Sequence, residues 1–291
     1  MQTRDRVRER DIEANGLSHH VLEWGDPQAS EVVLLCHGFL DMAWGFLQLG
    51  PALAAAGMRA LAVDFRGHGQ TGRVPAGGYY YFPDYVLDLH ELVPQLVGEP
   101  FHLLGHSMGG TVSSFFAATH PLQLRSLTLL EGLGPNQEDA ARAPTRMARW
   151  LEETVRTRNA EPTKLRDADQ AFERLAARHG NVDPGFLRQL AAKSTRPHPS
   201  GEGLTWLFDP LHRTHSPIPF DRARFGHCLA QIKAPTLVVQ GEHGIRSRDY
   251  AERIALIPRA RDVVVQGAGH MLHWTHCDEV RALALEHMHS A

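Results

Sequence analysis

The chain has 291 residues, is 43% hydrophobic, carries 30 Lys and Arg against 33 Asp and Glu for a formal charge of −3, and contains 19 histidines. That size supports a substantial buried core and suits one large domain with an insertion. A slightly negative balance with no basic run argues against a nucleic-acid partner, and no stretch approaches the roughly 20 apolar residues of a membrane span. Met1-Gln2-Thr3-Arg4-Asp5-Arg6 is charged and leads into no apolar signal core, so a cytoplasmic protein is expected. Cys36, Cys228 and Cys277 form no Cys-x-x-Cys pair and read as reduced, mostly packed thiols.

In chain order, residues 6–13 and 18–24 straddle Asn15-Gly16, a strong hairpin signal, and predict two antiparallel edge strands. Val32 to Cys36 is a short apolar run read as a buried strand, and it ends in His37-Gly38-Phe39-Leu40-Asp41. A strand over 59–64 runs into Phe65-Arg66-Gly67-His68-Gly69, where Arg66 and His68 are read as loop braces. A helix is predicted over 84–96, with Tyr85, Leu87, Leu89, Leu92 and Val93 roughly on one face. Further strands are expected over 101–104, 124–130, 235–240 and 262–266, which gives the alternation of a doubly wound, mostly parallel α/β sheet.

The strand over 101–104 passes directly through Gly105-His106-Ser107-Met108-Gly109-Gly110 into a helix of small residues. A serine at such a turn is forced to positive φ, which lifts its hydroxyl clear of the sheet, and the strain needs near-absent side chains two residues to either side. Ser107 is therefore the expected nucleophile. The turn after Cys36 can aim the N–H of Phe39, with that of Met108, at a substrate carbonyl oxygen, forming an oxyanion hole. Near the other end the strand over 262–266 leads to Gly267-Ala268-Gly269-His270, which places His270 as general base. His270, His273 and His276 are spaced by three, but they lie on a loop running into Cys277-Asp278-Glu279-Val280 and show no regular face, so no metal and no cofactor are expected.

Between Gly132 and about Arg224 the alternation stops and the chain reads as helical and arginine-rich. The division expected is a core of residues 1–131 and 225–291 with a helical cap of residues 132–224. Residues 137–157 carry Met147, Trp150, Leu151 and Val155 at helical spacing, and 167–178 carry Phe172 and Leu175, stripes read as faces that dock on the core. Trp150, Trp206 and Phe208 are candidate pocket residues for an apolar acyl group. Asp209-Pro210-Leu211-His212 is read as loop punctuation.

Four ordered motifs over nearly the whole chain, namely Val32 to Gly38, Asp64 to Gly69, Gly105 to Gly110 and Gly267 to His270, resemble the α/β-hydrolase superfamily. Within it, His37-Gly38-Phe39-Leu40-Asp41 and Leu130-Glu131-Gly132-Leu133-Gly134-Pro135 look like the serine hydrolase-like group, and the cap-and-core plan looks like haloalkane dehalogenases. The dehalogenases use an aspartate nucleophile where this chain has Ser107. Asp88 recurs in the family, but its place within the predicted helix reads as a structural carboxylate. The resemblance also exposes a departure: many relatives carry an aspartate at the fourth place of Gly-x-x-Asp, where this chain has Gly241-Glu242-His243-Gly244. Some capped relatives carry the acid after the preceding strand, which selects Glu131, with Glu242 as the alternative acid.

The function expected is a cofactor-independent serine hydrolase acting on a small to medium, largely apolar ester or related acyl compound. Its alternatives are an acyltransferase or C–C bond hydrolase using the same triad, and, in another class, a ligand-binding or inactive relative. The oligomeric state is not legible.

Overall fold

The computed structural model describes residues 7–98 and 100–291. The charged segment Met1 to Arg6 lies outside the described residues. Among the described residues ten strands are present: β1 (Arg8–Ala14), β2 (Leu17–Trp24), β3 (Val32–Cys36), β4 (Arg59–Val63), β5 (Phe101–His106), β6 (Leu124–Leu130), β7 (Thr195–Pro197), β8 (Leu204–Trp206), β9 (Thr236–His243) and β10 (Ala260–Gly269). Eight of them form one sheet in the order β1-β2-β4-β3-β5-β6-β9-β10. From β4 to β10 every neighbouring pair is parallel, and β2 runs against both β1 and β4.

Asn15 and Gly16 both take positive φ, 47° and 72°, as a two-residue hairpin turn with the right twist demands. Of these two strands only β1 lies at an edge of the sheet. Its alternating Arg8, Glu9, Arg10, Asp11 and Glu13 put charge on an edge that would otherwise template aggregation, whereas β2 is covered on both sides by strands. Residues of β3 are buried on both faces, which is why that strand reads as an unbroken apolar run rather than as an alternation.

Among the described residues ten α-helices are interleaved with the strands: α1 (Leu49–Ala55), α2 (Phe82–Leu96), α3 (Met108–Thr119), α4 (Ala143–Arg158), α5 (Ala168–Arg178), α6 (Pro184–Lys193), α7 (Arg222–Leu229), α8 (Tyr250–Leu256), α9 (Leu272–Thr275) and α10 (Cys277–His289). Helices α2, α3 and α7 cover one face of the sheet through Leu89, Leu92, Val112, Phe116, Phe225 and Leu229. On the other face α1 and α10 pack through Leu49, Leu53, Val280, Ala284 and Met288. Helix α2 starts two residues before the expected Asp84, because Pro83 suits a first turn and Asp84 accepts from the Tyr81 N–H there. Asp88 is fully buried, taking Arg66 Nε at 2.6 Å and Asn15 Nδ2 at 2.9 Å, which ties the hairpin, the post-β4 loop and α2 together.

The segment between β6 and β9 holds α4 to α7, and also a two-stranded sheet of β7 and β8 that the helical reading missed. The α4 stripe also differs from expectation: Met147, Leu151 and Val155 are 43%, 52% and 59% exposed. Docking instead runs through Trp150, edge-on to Tyr79, and the buried Thr154. In α5, Phe172 and Leu175 do pack against the core. The segment is latched to the chain between β4 and α2 by hydrogen bonds at the stretch read as punctuation. The Asp209 N–H donates to Gly67 O at 2.7 Å, and Tyr80 Oη donates to the Asp209 carboxylate at 2.7 Å. His68, read as a brace, stacks on His212 with ring centroids 3.9 Å apart.

Candidate active site

The strand order reverses between β3 and β5: after β3 the chain crosses outward to β4, then returns to lay β5 on the other side. The loops leaving the carboxyl ends of β3 and β5 therefore flank the switch point of the sheet, the usual ligand position in such folds. Ser107 follows β5 immediately, with φ 51° and ψ −116°, and caps α3. Its N–H donates to Leu130 O at 2.9 Å, so the elbow is an extension of the β5–β6 ladder. The flanking glycines are required by contact: a Cβ on Gly105 falls 2.5 Å from Gly109 O, and one on Gly109 falls 2.6 Å from His37 O.

His270 leaves β10 and places Nε2 at 3.0 Å from Ser107 Oγ and Nδ1 at 3.1 Å from Glu131 Oε2. A buried carboxylate only accepts, so Nδ1 carries the proton and Nε2 keeps a lone pair for the serine hydroxyl. Glu131 is fully buried in its side chain and takes φ 52°, the left-handed region that costs a non-glycine residue strain. That backbone turns the carboxylate away from the β6 direction and under the β9 loop. There Oε1 accepts the Gly241 N–H and Oε2 the Ile245 N–H, each at 2.6 Å. The alternative acid, Glu242, is exposed and accepts from the Gly267 N–H at 2.8 Å instead.

Phe39 and Leu40 occupy the centre of a turn closed by the Asp41 N–H to Gly38 O, with Leu40 at φ 59°. A Cβ on Gly38 would lie 2.8 Å from His106 Nδ1 and 3.2 Å from Ser107 Cβ, so this turn is pressed against the elbow. His37 anchors it: the Phe65 N–H donates to Nε2 at 3.0 Å and Nδ1 donates to Gly38 O at 2.7 Å. That bonding needs a neutral ring, which burial favours by lowering the His37 pKa. Met108 is the first residue of α3, where N–H groups lack helical partners and the helix dipole favours negative charge.

Of the proposed pocket aromatics, Trp150 packs on Tyr79, while Trp206 and Phe208 stack on each other at 6.2 Å. Phe39, 50% exposed, sits edge-on to His68 and His212 near the turn. The three evenly spaced histidines separate: His270 turns to Ser107, His276 bonds the Thr275 hydroxyl, and His273 points inward toward His106 and Asp41.

Two residues that shape the site were given no role at the sequence level. Arg253, 2% exposed, donates to Leu133 O at 2.7 Å and Pro135 O at 2.9 Å, fixing the chain that leaves Glu131. Gly244 is the other. A Cβ there would fall 2.5 Å from Glu131 Oε2 and nearer still to Oε1. The glycine at the place where many relatives carry the acid thus makes room for the carboxylate arriving from β6, and its signal in the sequence was that substitution itself.

Comparison with known proteins agrees with this architecture. A family model described as the alpha/beta hydrolase fold matches residues 31–276. The chain is 28% identical over 259 residues to a serine hydrolase-like protein of Danio rerio, covering 85% of this chain and 78% of that one. It is 27% identical over 258 residues to a 3-hydroxybutyrate-oligomer hydrolase of Cupriavidus necator, covering 85% of each. Among solved structures, the thioesterase domain from the curacin biosynthetic pathway superposes with a TM-score of 0.85 at 26% identity, over 96% of this chain and 99% of that one. A match that spans strands β3 to β10, the elbow and the late histidine together shows that the chain belongs to the α/β-hydrolase superfamily, in its serine hydrolase-like group.

Proposed function

We propose that this hydrolase cleaves a small to medium, largely apolar carboxylic ester or related acyl compound through an acyl-enzyme on Ser107. The observation that carries the reading is the unbroken hydrogen-bonded line from Ser107 Oγ to His270 Nε2 at 3.0 Å and from His270 Nδ1 to Glu131 Oε2 at 3.1 Å. Ser107 Oγ attacks the acyl carbon while His270 Nε2 takes its proton, and Glu131 stabilises the resulting imidazolium. The carbonyl oxygen, now an oxyanion, is held by the N–H groups of Phe39 and Met108. Collapse expels the alcohol, which leaves with the proton from His270. Water then gives a proton to the same nitrogen, attacks the acyl carbon and releases the acid, and the proton returns to Ser107.

In this reading residues 132–224 act as a cap on a core of residues 1–131 and 225–291. Phe39 is the apolar wall nearest the elbow, and Trp150, Trp206 and Phe208 line the cap side. The relatives named as a 3-hydroxybutyrate-oligomer hydrolase and a thioesterase domain favour acyl substrates over other hydrolase chemistry. The test is burst release from p-nitrophenyl acetate, butyrate and octanoate, with fluorophosphonate labelling in parallel. A burst is expected, with labelling abolished by Ser107→Ala and turnover by His270→Ala. Labelling of Ser107→Ala at the native rate, or absence of turnover on all three esters, overturns the reading.

A further inference from the structure

Behind the elbow lies a second cluster that the proposed hydrolysis does not use. Asp41 comes from the turn after β3, His106 from the last position of β5, and His273 from α9. Their candidate ligand atoms all lie within 4.8 Å of one another. His106 and His273 are each 1% exposed, with ring centroids 4.3 Å apart. Among the described residues, His106 Nδ1, both nitrogens of His273 and Asp41 Oδ2 are buried with no hydrogen-bond partner. Leaving several such atoms unpaired in one place is costly unless something binds them.

The tautomer of His106 sharpens the point. Its Nε2 sits 2.9 Å from the backbone oxygen of His270. A carbonyl oxygen only accepts, so Nε2 holds the proton, and Nδ1, buried beside Gly38 without a hydrogen-bond partner, keeps a bare lone pair. An imidazole that gives its outer N–H to a backbone carbonyl while aiming the other nitrogen inward is the arrangement that orients a metal-binding histidine. Burial also favours the neutral ring of His273, whose pKa is pushed down to about 3, and Phe46 and Trp274 wall the ring off.

We propose that Asp41, His106 and His273 form a binding site for a divalent transition-metal ion of the zinc class. Two imidazole nitrogens and one carboxylate are a donor set suited to Zn²⁺ or Co²⁺, and three protein ligands leave a further position for water. Metal–ligand bonds of about 2.0–2.2 Å in a tetrahedral site set donors roughly 3.3–3.6 Å apart, so closure asks the side chains to draw together by up to about 1.5 Å. Of the three histidines spaced along residues 270–276, only His273 takes part. The consequence for activity rests on the proposed hydrolysis: the His106 ring centroid is 4.9 Å from that of His270, and a dication there disfavours the imidazolium formed when Ser107 attacks. Occupancy therefore inhibits the enzyme.

Binding is read independently of catalysis, so that the two ideas fail separately. The protein is stripped with chelator and titrated with Co²⁺, followed by visible absorption, and the Zn²⁺ form is examined by X-ray absorption. Saturable binding is expected, with two imidazole scatterers per ion in the unmutated protein. Asp41→Asn and His273→Gln should each weaken Co²⁺ binding by at least about 10-fold, the loss that even an outer-shell change brings at such sites. His270→Ala should leave it intact. Absence of saturable binding, which would leave a bridging water as occupant, overturns the proposal. A single imidazole scatterer, or loss of binding in His270→Ala, also overturns it, because the ion would then sit on the catalytic histidine. The X-ray measurement keeps the test decisive should either variant fail to fold.

Discussion

Gly244→Ala should disable the enzyme while leaving its fold in place. Gly244 does not have positive φ, so alanine is acceptable to the backbone, and the obstacle is one contact. The new methyl would fall 2.5 Å from Glu131 Oε2 and nearer to Oε1, against the roughly 3.3 Å that a carbon needs from an oxygen, so the carboxylate must retreat by about 1 Å or more. That retreat stretches three hydrogen bonds together: 2.6 Å to the Gly241 N–H, 2.6 Å to the Ile245 N–H and 3.1 Å to His270 Nδ1. Misplacing a catalytic group by about 1 Å costs on the order of 100-fold in rate, and weakening a charge-assisted hydrogen bond costs about 1.5–3 kcal/mol of stability. The assay is kcat/KM on p-nitrophenyl butyrate beside a thermal melt, with Gly98→Ala as control because nothing lies within 4 Å of a Cβ there. A folded Gly244→Ala protein within about threefold of native activity would refute the argument that this glycine exists to seat Glu131.

Glu131→Gln should lower turnover by roughly 100-fold or more by removing the stabilisation of the imidazolium, whereas Glu242→Gln should stay near native; the reverse ranking would move the acid to Glu242. Asp88→Asn should cost about 3–5 kcal/mol in urea unfolding, because it strands the buried Arg66, yet leave kcat unchanged in the folded fraction, and a selective loss of kcat would make Asp88 catalytic instead. Acid should destabilise the fold from about pH 6.5 downward. Burial holds His273 at about 3 and His212 at about 4, and depresses His106, His68 and His37. Unfolded, each titrates near about 6.5, so below that pH the unfolded chain binds more protons and each group costs about 1.4 kcal/mol per pH unit until its folded pKa is reached. A urea midpoint that stays flat between about pH 7 and about pH 5 would contradict this burial.

Local chemistry made much of this protein readable from its residues. Asn15-Gly16 announces a hairpin because few other residues accept positive φ twice in succession, and Gly105 to Gly110 announces an elbow because a serine flanked that way has little other use for such strain. Buried parallel strands print themselves as apolar runs, so the succession of strands along the chain and the superfamily were legible, as was the loop that bears Phe39. The α4 stripe misled because helical spacing records periodicity, not what covers it, and Met147, Leu151 and Val155 face outward. The short β7 and β8 carried too few residues to show a period of two.

The acid was a different kind of question. Glu131 and His270 are 139 residues apart, and two glutamates of identical chemistry competed for one imidazole nitrogen. The order of strands in the sheet and the left-handed turn at Glu131 decide which carboxylate reaches it, and Gly244 decides whether there is room. The same holds for Asp41, His106 and His273, which come from three separate elements and meet only once β3, β5 and the carboxyl-terminal helices are packed. Backbone conformation is written in neighbouring residues, because sterics act over one or two peptide units. A buried polar cluster is written nowhere along the chain, because its members are brought together by burial of the apolar core around them.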